Sequence, residues 1–458
     1  MNKSNTIQPP SALVIIAMLL VYGGLTLLSH LLLEDDSVYR HIGHFFPTYE
    51  VVSHEDGSWE AVQVGKPFVK PTEERLLGWD ANHYKDISIN LYNPEKSWEG
   101  NVAFFPAFPL LWRVSGLSAM GVCMLGWIML CMGMAAVVAI FGKKISWRHC
   151  LLALCLPYLV IFMIPYSEAL FFLFIAIGLY GLSKERYWIY FIGFMAGATV
   201  RAASGVLVVA WVVVDVLAWV NTKKSWKEFL IDVVKHTAPL LLGILAVAVY
   251  QYMHGAKSLL AFADAQRFWG KSLSLPEWPL SDWSVPGKSV TQPLLFIFFI
   301  PAILWLCQLF WKGLRSRHEI PFSASDYCRN LSLLYYVGNI LLALLTQHGN
   351  MFSMARILTC TPFFVYLLFD VSTTRHPSRR LWLLLCFFGL SFIFYQPFPL
   401  NIENAGALLI YGVAALAFLY DRMPHWLTIS VSLLLTIINI LWTAYLYNTF
   451  LTGGWIFT

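Results

Sequence analysis

Apolar runs of helical length recur along nearly all of this 458-residue chain, and they limit what it can fold into. Only 12% of the residues are charged, whereas soluble domains carry about 25%. Inside a bilayer each backbone polar group needs a partner within the protein, and a helix of about 20 apolar residues provides those partners. The sequence therefore predicts an all-α, multi-pass integral membrane protein surrounded by membrane lipids.

Short basic clusters separate the apolar runs and set the predicted topology. Lys and Arg are enriched in cytoplasmic loops, so we place every cluster in the cytoplasm, with the N-terminus inside and the C-terminus outside. The net charge of +5 then reflects topology and does not indicate nucleic-acid binding. The thirteen predicted spans are 11–33, 119–141, 149–165, 167–183, 187–201, 203–220, 236–254, 290–311, 327–347, 353–371, 381–395, 405–420 and 425–447.

Residues 1–458 are predicted to form one integral domain with two long outer loops, 34–118 and 256–289. The first loop is longer than a simple connector, so we expect it to be structured. A face with helical spacing runs along part of it, which predicts a short helix on the membrane surface. This face consists of Asp80, His83, Tyr84 and Ile87.

Two apolar segments, 149–183 and 187–220, have basic residues at both ends, so both ends of each are expected in the cytoplasm. Each has about 35 residues, which is too few for two full crossings of a bilayer. A polar break lies near the middle of each segment, at 165–168 and at 201–205. These breaks predict short helical hairpins whose tips line one cavity, open to the outside, beneath the first loop.

Asp80 is the candidate catalytic residue, because it lies in an aromatic and otherwise apolar part of the first loop. A general base that takes a proton from an acceptor hydroxyl needs a carboxylate within hydrogen-bond reach. A solvated loop carboxylate would give the same sequence pattern. Asp35 and Asp36, at the outer end of the first span, are rivals that we interpret as an anchor for a helix end.

Glu168, Arg201 and Arg356 are ionisable residues within or beside apolar segments. Such residues are costly in a membrane and usually face a cavity or a charged partner. Glu168 and Arg201 fit either substrate binding or a structural ion pair that joins the two hairpins. Arg201 and Arg356 also suit a phosphate, since a guanidinium makes forked hydrogen bonds to its oxygens, although Arg356 equally suits snorkelling to the interface.

Gln266 and Arg267 precede Phe268 and Trp269 in the second loop. This mixture suits a stacked sugar, the edge of a pyrophosphate or an interfacial aromatic belt. The sequence contains no DxD acid pair, HExxH motif or phosphate-binding loop, so we expect neither a metal nor another cofactor. All eight cysteines lie in or beside apolar spans, which indicates no disulfide framework.

Four blocks of this sequence resemble those of the PIG-V mannosyltransferases, which add the second mannose to GPI anchors and have bacterial relatives. The blocks occur in the family's order. They are Trp79-Asp80-Ala81-Asn82-His83 with 103–110, Tyr166–Phe171, Val200-Arg201 with Ser204-Gly205, and Arg356–Leu358 with Thr361-Pro362. The third block departs from the family's Arg-Ser-Asn-Gly pattern, because Ala202 and Ala203 intervene and the Asn is missing.

The resemblance implies a GT-C glycosyltransferase fold and an inverting transfer from polyprenyl- or dolichyl-phosphate-mannose, with Asp80 as the base. The acceptor would be a glycolipid, a glycan or a protein hydroxyl. We expect an outward-facing site in a bacterial inner membrane, or a lumenal site in the endoplasmic reticulum. The predicted substrate-binding residues are His83, Tyr84, Phe105, Glu168, Arg201, Gln266, Arg267 and Arg356.

Two other functions remain open at this point. One is a transporter or flippase of lipid-linked sugars, although transporters favour internal repeats and midplane sites, and no repeat is visible in this sequence. The other is a GT-C ligase that uses a different lipid-linked sugar, because a shared fold does not fix the substrate.

Overall fold

The computed structural model describes residues 11–53, 59–275, 299–347, 353–373, 402 and 405–456. The predicted span 381–395 lies outside these ranges, as do the first part of the predicted span 290–311 and residues 276–289 of the second loop.

The described part of the chain is mostly helical. Its α-helices are α1 (Ser11–Glu34), α2 (Asp36–Ile42), α3 (Asp80–Asn90), α4 (Ala107–Ser115), α5 (Ala119–Phe141), α6 (Trp147–Leu154), α7 (Glu168–Ser183), α8 (Tyr187–Ala198), α9 (Ser204–Thr222), α10 (Trp226–Met253), α11 (Ala261–Asp264), α12 (Ile300–Arg315), α13 (Ala324–Thr346), α14 (Met354–Thr359), α15 (Pro362–Thr373), α16 (Ala405–Leu419) and α17 (His425–Leu451). The first loop also contains two antiparallel strands, β1 (Tyr49–Ser53) and β2 (Trp59–Gln63), in which Val51 pairs with Ala61.

Among the described residues, six helices are long and apolar enough to cross a membrane, namely α1, α5, α9, α10, α13 and α17. Helices α7, α8 and α15 and residues 408–419 of α16 are apolar but shorter. By length and composition the chain is therefore a mostly helical membrane protein, as the apolar runs predicted. The total of thirteen spans stays a prediction.

Two predicted spans are not continuous helices. Within 149–165, α6 is followed by a separate 3-10 helix at Leu159–Met163, because Pro157 disfavours helical backbone at the residue before it. Within 353–371, α14 and α15 are separate, because Pro362 is the first residue of α15, a position that suits its missing N–H. At the first break, the buried Asn439 amide donates to the carbonyls of Leu154 and Leu156 at 2.8 Å and 2.7 Å.

Helix α10 begins ten residues before its predicted start at 236. Ser225 and Glu228 form a capping box there, since the Glu228 N–H donates to the Ser225 hydroxyl at 3.3 Å and the Ser225 N–H donates to the Glu228 carboxylate at 2.8 Å. The cap satisfies N–H groups of the first turn, so the helix extends through the basic segment before its apolar run.

Small residues bring the predicted hairpin helices α7 and α8 close together. A Cβ added to Gly178 would lie 2.6 Å from a ring carbon of Phe194, and one added to Gly193 would collide with the backbone of Gly178. Such close packing between helices is typical of membrane proteins. Helix α7 also packs against α5, α8 against α10, and α10 against α9, so both predicted hairpins belong to one bundle.

Candidate active site

Asp80 is the first residue of α3, and the backbone before it is held in an unusual conformation. Trp79 has a φ of 51°, which is rare for a residue with a side chain. Its indole N–H donates to the Gly454 carbonyl at 3.1 Å, and its ring packs edge to face against Trp455 at 4.8 Å. The Asp80 N–H donates to the Tyr166 hydroxyl at 3.2 Å. Residues distant in sequence therefore fix where Asp80 points.

Arg356, on the short helix α14, bridges two carboxylates. Its Nη2 lies 2.7 Å from Oδ2 of Asp80, and its Nε lies 2.6 Å from Oε1 of Glu168. Its guanidinium also sits 5.1 Å from the centre of the Tyr166 ring, a favourable cation–π distance. The Arg356 side chain is 8% exposed, so it is held inside the protein and does not snorkel into solvent.

The two predicted hairpin tips meet at Glu168. Glu168 begins α7, Arg201 lies in the turn between α8 and α9, and Nη1 of Arg201 is 2.6 Å from Oε1 of Glu168. The structural ion pair weighed from the sequence is therefore present, and Arg356 shares it. Asp80, Arg356, Glu168 and Arg201 form one connected set, called the charge cluster below. Its two carboxylates and two guanidiniums are balanced in charge.

Lys271 is a further cation that the sequence did not single out, and its charge interacts with those of Arg356, Arg201 and Asp80 in the charge cluster. It lies in the second loop, and the next residue is tied to α13, because the Ser272 N–H donates to the Thr346 carbonyl at 3.0 Å. The Lys271 side chain is exposed overall. Protein packed around its ammonium group, and then the cations Arg356 and Arg201, lower the pKa of Lys271, while Asp80 opposes the shift.

His83 and Tyr84 lie on α3 beside the charge cluster, as their spacing from Asp80 predicted. Nδ1 of His83 is 2.7 Å from Oδ1 of Asn101, and its ring stacks on Phe104 at 5.1 Å. The Tyr84 hydroxyl is 2.7 Å from the Ser167 hydroxyl, next to Glu168 in sequence. Tyr84 thus links α3 to the start of α7. The His83 ring also packs against the rings of Trp98 and Trp269.

Three other predicted binding residues lie apart from the charge cluster. Phe105 is 2% exposed and packs edge to face against Phe262 at 5.5 Å, so it belongs to the packed interior. The Gln266 amide donates to the Phe262 carbonyl of its own segment at 3.3 Å. The Arg267 guanidinium lies over the Phe268 ring at 5.0 Å. Their roles in substrate binding stay predictions.

Two other acidic residues of the first loop, Asp35 and Glu73, have structural partners. Asp35 caps α2 by accepting from the Ser37 N–H at 2.8 Å, which agrees with its interpretation as a helix-end anchor. Glu73 accepts from the Ala119 N–H at 2.7 Å and so caps α5. In the described ranges no group of three or more His, Cys, Asp or Glu side chains comes together as a metal site.

Chemically, this arrangement joins a carboxylate that can accept a proton to cations that can hold an anion. Asp80 is 16% exposed, which leaves it accessible from one side while Arg356 holds the other. Comparison with family models, curated proteins and solved structures found no match for this chain.

Proposed function

We propose that this protein is an inverting glycosyltransferase of the GT-C type. It transfers a hexose, which is mannose by the resemblance to the PIG-V family, from a polyprenyl- or dolichyl-phosphate donor to the hydroxyl of a glycolipid, glycan or protein. The reaction takes place on the outer face of a bacterial inner membrane or in the lumen of the endoplasmic reticulum. The observation that carries the proposal is the charge cluster of a mostly apolar helical bundle.

The charges around Asp80 support an anionic donor. Lys271 adds a third cation to Arg201 and Arg356, against the two carboxylates of Asp80 and Glu168. The surplus positive charge favours a group with one net negative charge, as a phosphodiester has. Glu168 holds both arginines in place, and guanidiniums suit the oxygens of phosphate. A lipid donor further suits a site within a membrane bundle, because its tail stays in the bilayer.

The ion pair between Arg356 and Asp80 sets the order of events. The donor phosphate replaces Asp80 as the partner of Arg356, which frees the Asp80 carboxylate. Asp80 then takes the proton of the acceptor hydroxyl while that oxygen forms a bond to C1 of the sugar, on the face opposite the phosphate. The bond between C1 and the phosphate oxygen breaks, both electrons stay with the lipid phosphate, and Arg356 and Lys271 stabilise the departing anion.

Purified full-length protein in liposomes, given labelled polyprenyl-phosphate-mannose and a mixed glycolipid acceptor fraction, tests the proposal. We expect labelled product from the wild type. Asp80→Asn keeps the shape of the side chain and removes the base, so turnover should fall by about 10²–10⁴-fold. Donor binding should persist in this variant, because the arginines remain.

Glu95→Gln is the matched control, since Glu95 is an exposed carboxylate of the same loop and should leave turnover unchanged. Wild-type turnover by a folded Asp80→Asn protein would remove Asp80 from the mechanism. Movement of intact donor across the bilayer without sugar transfer would instead identify a flippase.

A further inference from the structure

A cleft of about 290 Å³ lies where the first and second loops meet. We call it the loop cleft. Pockets for drug-sized ligands span roughly 300–1,000 Å³, so this volume suits a smaller group such as a single sugar ring. Its lining includes Trp98, Glu99, Lys257, Asp264, Arg267 and Phe268.

Aromatic rings give the loop cleft a fixed, exposed apolar wall. Trp98 is 46% exposed and Phe268 is 40% exposed, and their rings meet edge to face at 5.9 Å. Trp98 also packs against Trp269 at 5.4 Å and covers Gly100, where an added Cβ would collide with its ring. The wall is therefore assembled before any ligand arrives, which lowers the entropy cost of binding.

The charged residues of the loop cleft balance one another. Lys257 pairs with Glu99 at 2.6 Å, and the lining also contains Asp264 and Arg267. Two side chains of each sign favour a neutral ligand with many hydrogen-bonding groups over an anion. A sugar ring fits this description, because its hydroxyls both donate and accept while its C–H face can lie on an aromatic ring.

The loop cleft connects directly to the helix that carries Asp80. The Trp98 ring lies 5.4 Å from the ring of His83, which is on α3 one turn after Asp80. Phe104 and Trp269 also contact His83, at 5.1 Å and 5.3 Å. A row of rings thus leads from the loop cleft towards the charge cluster.

From this geometry we propose that the loop cleft binds a neutral sugar ring of the acceptor, stacked on Trp98 and Phe268. The role of this sugar as the acceptor rests on the proposed function, whereas sugar binding itself does not. The site selects a glycan or the glycan part of a glycolipid, and disfavours a bare protein hydroxyl. Arg267 then orients the sugar from its position over Phe268 and does not hold the donor phosphate.

Saturation-transfer NMR on the full chain in nanodiscs tests this without any turnover. The probes are the methyl glycosides of mannose, glucose, galactose and N-acetylglucosamine, with myo-inositol 1-phosphate as an anionic comparison. At least one neutral glycoside should bind saturably. Trp98→Ala and Phe268→Ala should each weaken that binding by about tenfold or more, as loss of an aromatic anchor does.

Trp147→Ala is the matched control, because Trp147 is also 46% exposed and lies outside the loop cleft. It should bind as the wild type does. Phe268→Ala keeps the test informative if Trp98→Ala does not fold. The proposal is overturned if no neutral glycoside binds, or if the folded cleft variants bind like Trp147→Ala. It is also overturned if inositol phosphate alone binds and Arg267→Gln removes that binding.

The outcomes separate this proposal from the proposed function. If the glycoside binds through Trp98 while no sugar transfer occurs, the loop cleft stands and the transferase proposal fails. If transfer occurs and the acceptor KM is unchanged in both cleft variants, the transferase proposal stands and the assignment of the loop cleft to the acceptor fails.

Discussion

Glu168→Gln should be strongly destabilising, because one buried carboxylate holds two arginines. Glu168 is 1% exposed, and Arg201 and Arg356 each lie 2.6 Å from its Oε1. Glutamine keeps the size of the side chain but removes the charge, so both guanidiniums lose a buried counter-charge. Removing one partner of a buried ion pair costs about 3–5 kcal/mol. The folding equilibrium constant should therefore fall by roughly 100-fold or more, since 1.4 kcal/mol is tenfold.

Arg201→Gln should cost clearly less than Glu168→Gln. In that variant Glu168 still pairs with Arg356, and Arg356 still pairs with Asp80 at 2.7 Å. No charge is left without a partner, so the penalty reduces to one lost contact. The larger loss of stability in Glu168→Gln than in Arg201→Gln follows from the ion pairs of the charge cluster, and it does not depend on the proposed function.

The assay is unfolding of the purified protein in mixed micelles of a mild detergent and SDS, from which the free energy of unfolding is obtained. Glu95→Gln makes the same chemical change at an exposed position and should stay within about 0.5 kcal/mol of the wild type. The reasoning is refuted if Glu168→Gln unfolds like Glu95→Gln. It is equally refuted if Arg201→Gln costs as much as Glu168→Gln.

Two further predictions concern pH and metals. The lowered pKa of Lys271 means that its positive charge disappears at a lower pH than that of an ordinary lysine, so the donor KM should rise as pH rises through that pKa. Lys271→Arg should abolish the rise, because arginine stays protonated, and an identical profile in both proteins would contradict the assignment. Turnover should survive excess EDTA, because two acids of the first loop already have protein partners. Glu73 caps α5, and Asp86 accepts from Ser97 at 2.6 Å and from Asn101 at 2.7 Å. Activity that is lost in EDTA and restored by Mg²⁺, Mn²⁺ or Ca²⁺ would show that these acids bind a metal.

Local signals in the sequence account for the parts of the site that were predicted. Helical spacing placed Asp80, His83 and Tyr84 on one short helix, and α3 begins at Asp80. The short apolar segments with polar centres predicted two hairpin tips, and Glu168 and Arg201 meet there. Both inferences needed only the period of a helix and the length of a membrane crossing.

Contacts between distant segments were not predictable in this way. Asp80 and Arg356 are 276 positions apart, and no periodicity indicates that they pair. Lys271 was missed for the same reason, since its neighbours come from other segments. The helix breaks were different, because Pro157 and Pro362 were visible signals that the apolar composition around them obscured.

The two strands of the first loop also had a visible signal. The run Tyr49–Ser53 contains two valines, and Asp56-Gly57, a common turn dipeptide, separates it from Trp59–Gln63. Short strands next to long apolar spans carry a weak pattern by comparison, so the all-α prediction includes no strand in this loop. The strands pair in the structure from Tyr49 with Gln63 to Ser53 with Trp59.

The contact of Trp79 with Gly454 and Trp455 has a consequence for biosynthesis. Trp79 is synthesised 375 residues before Gly454. The indole N–H of Trp79 cannot donate to the Gly454 carbonyl until residue 454 has been made, and α17 must be made before that residue. The support of Asp80 is thus completed only after α17 and Gly454 have been made, so a chain that stalls before residue 454 reaches the membrane without it.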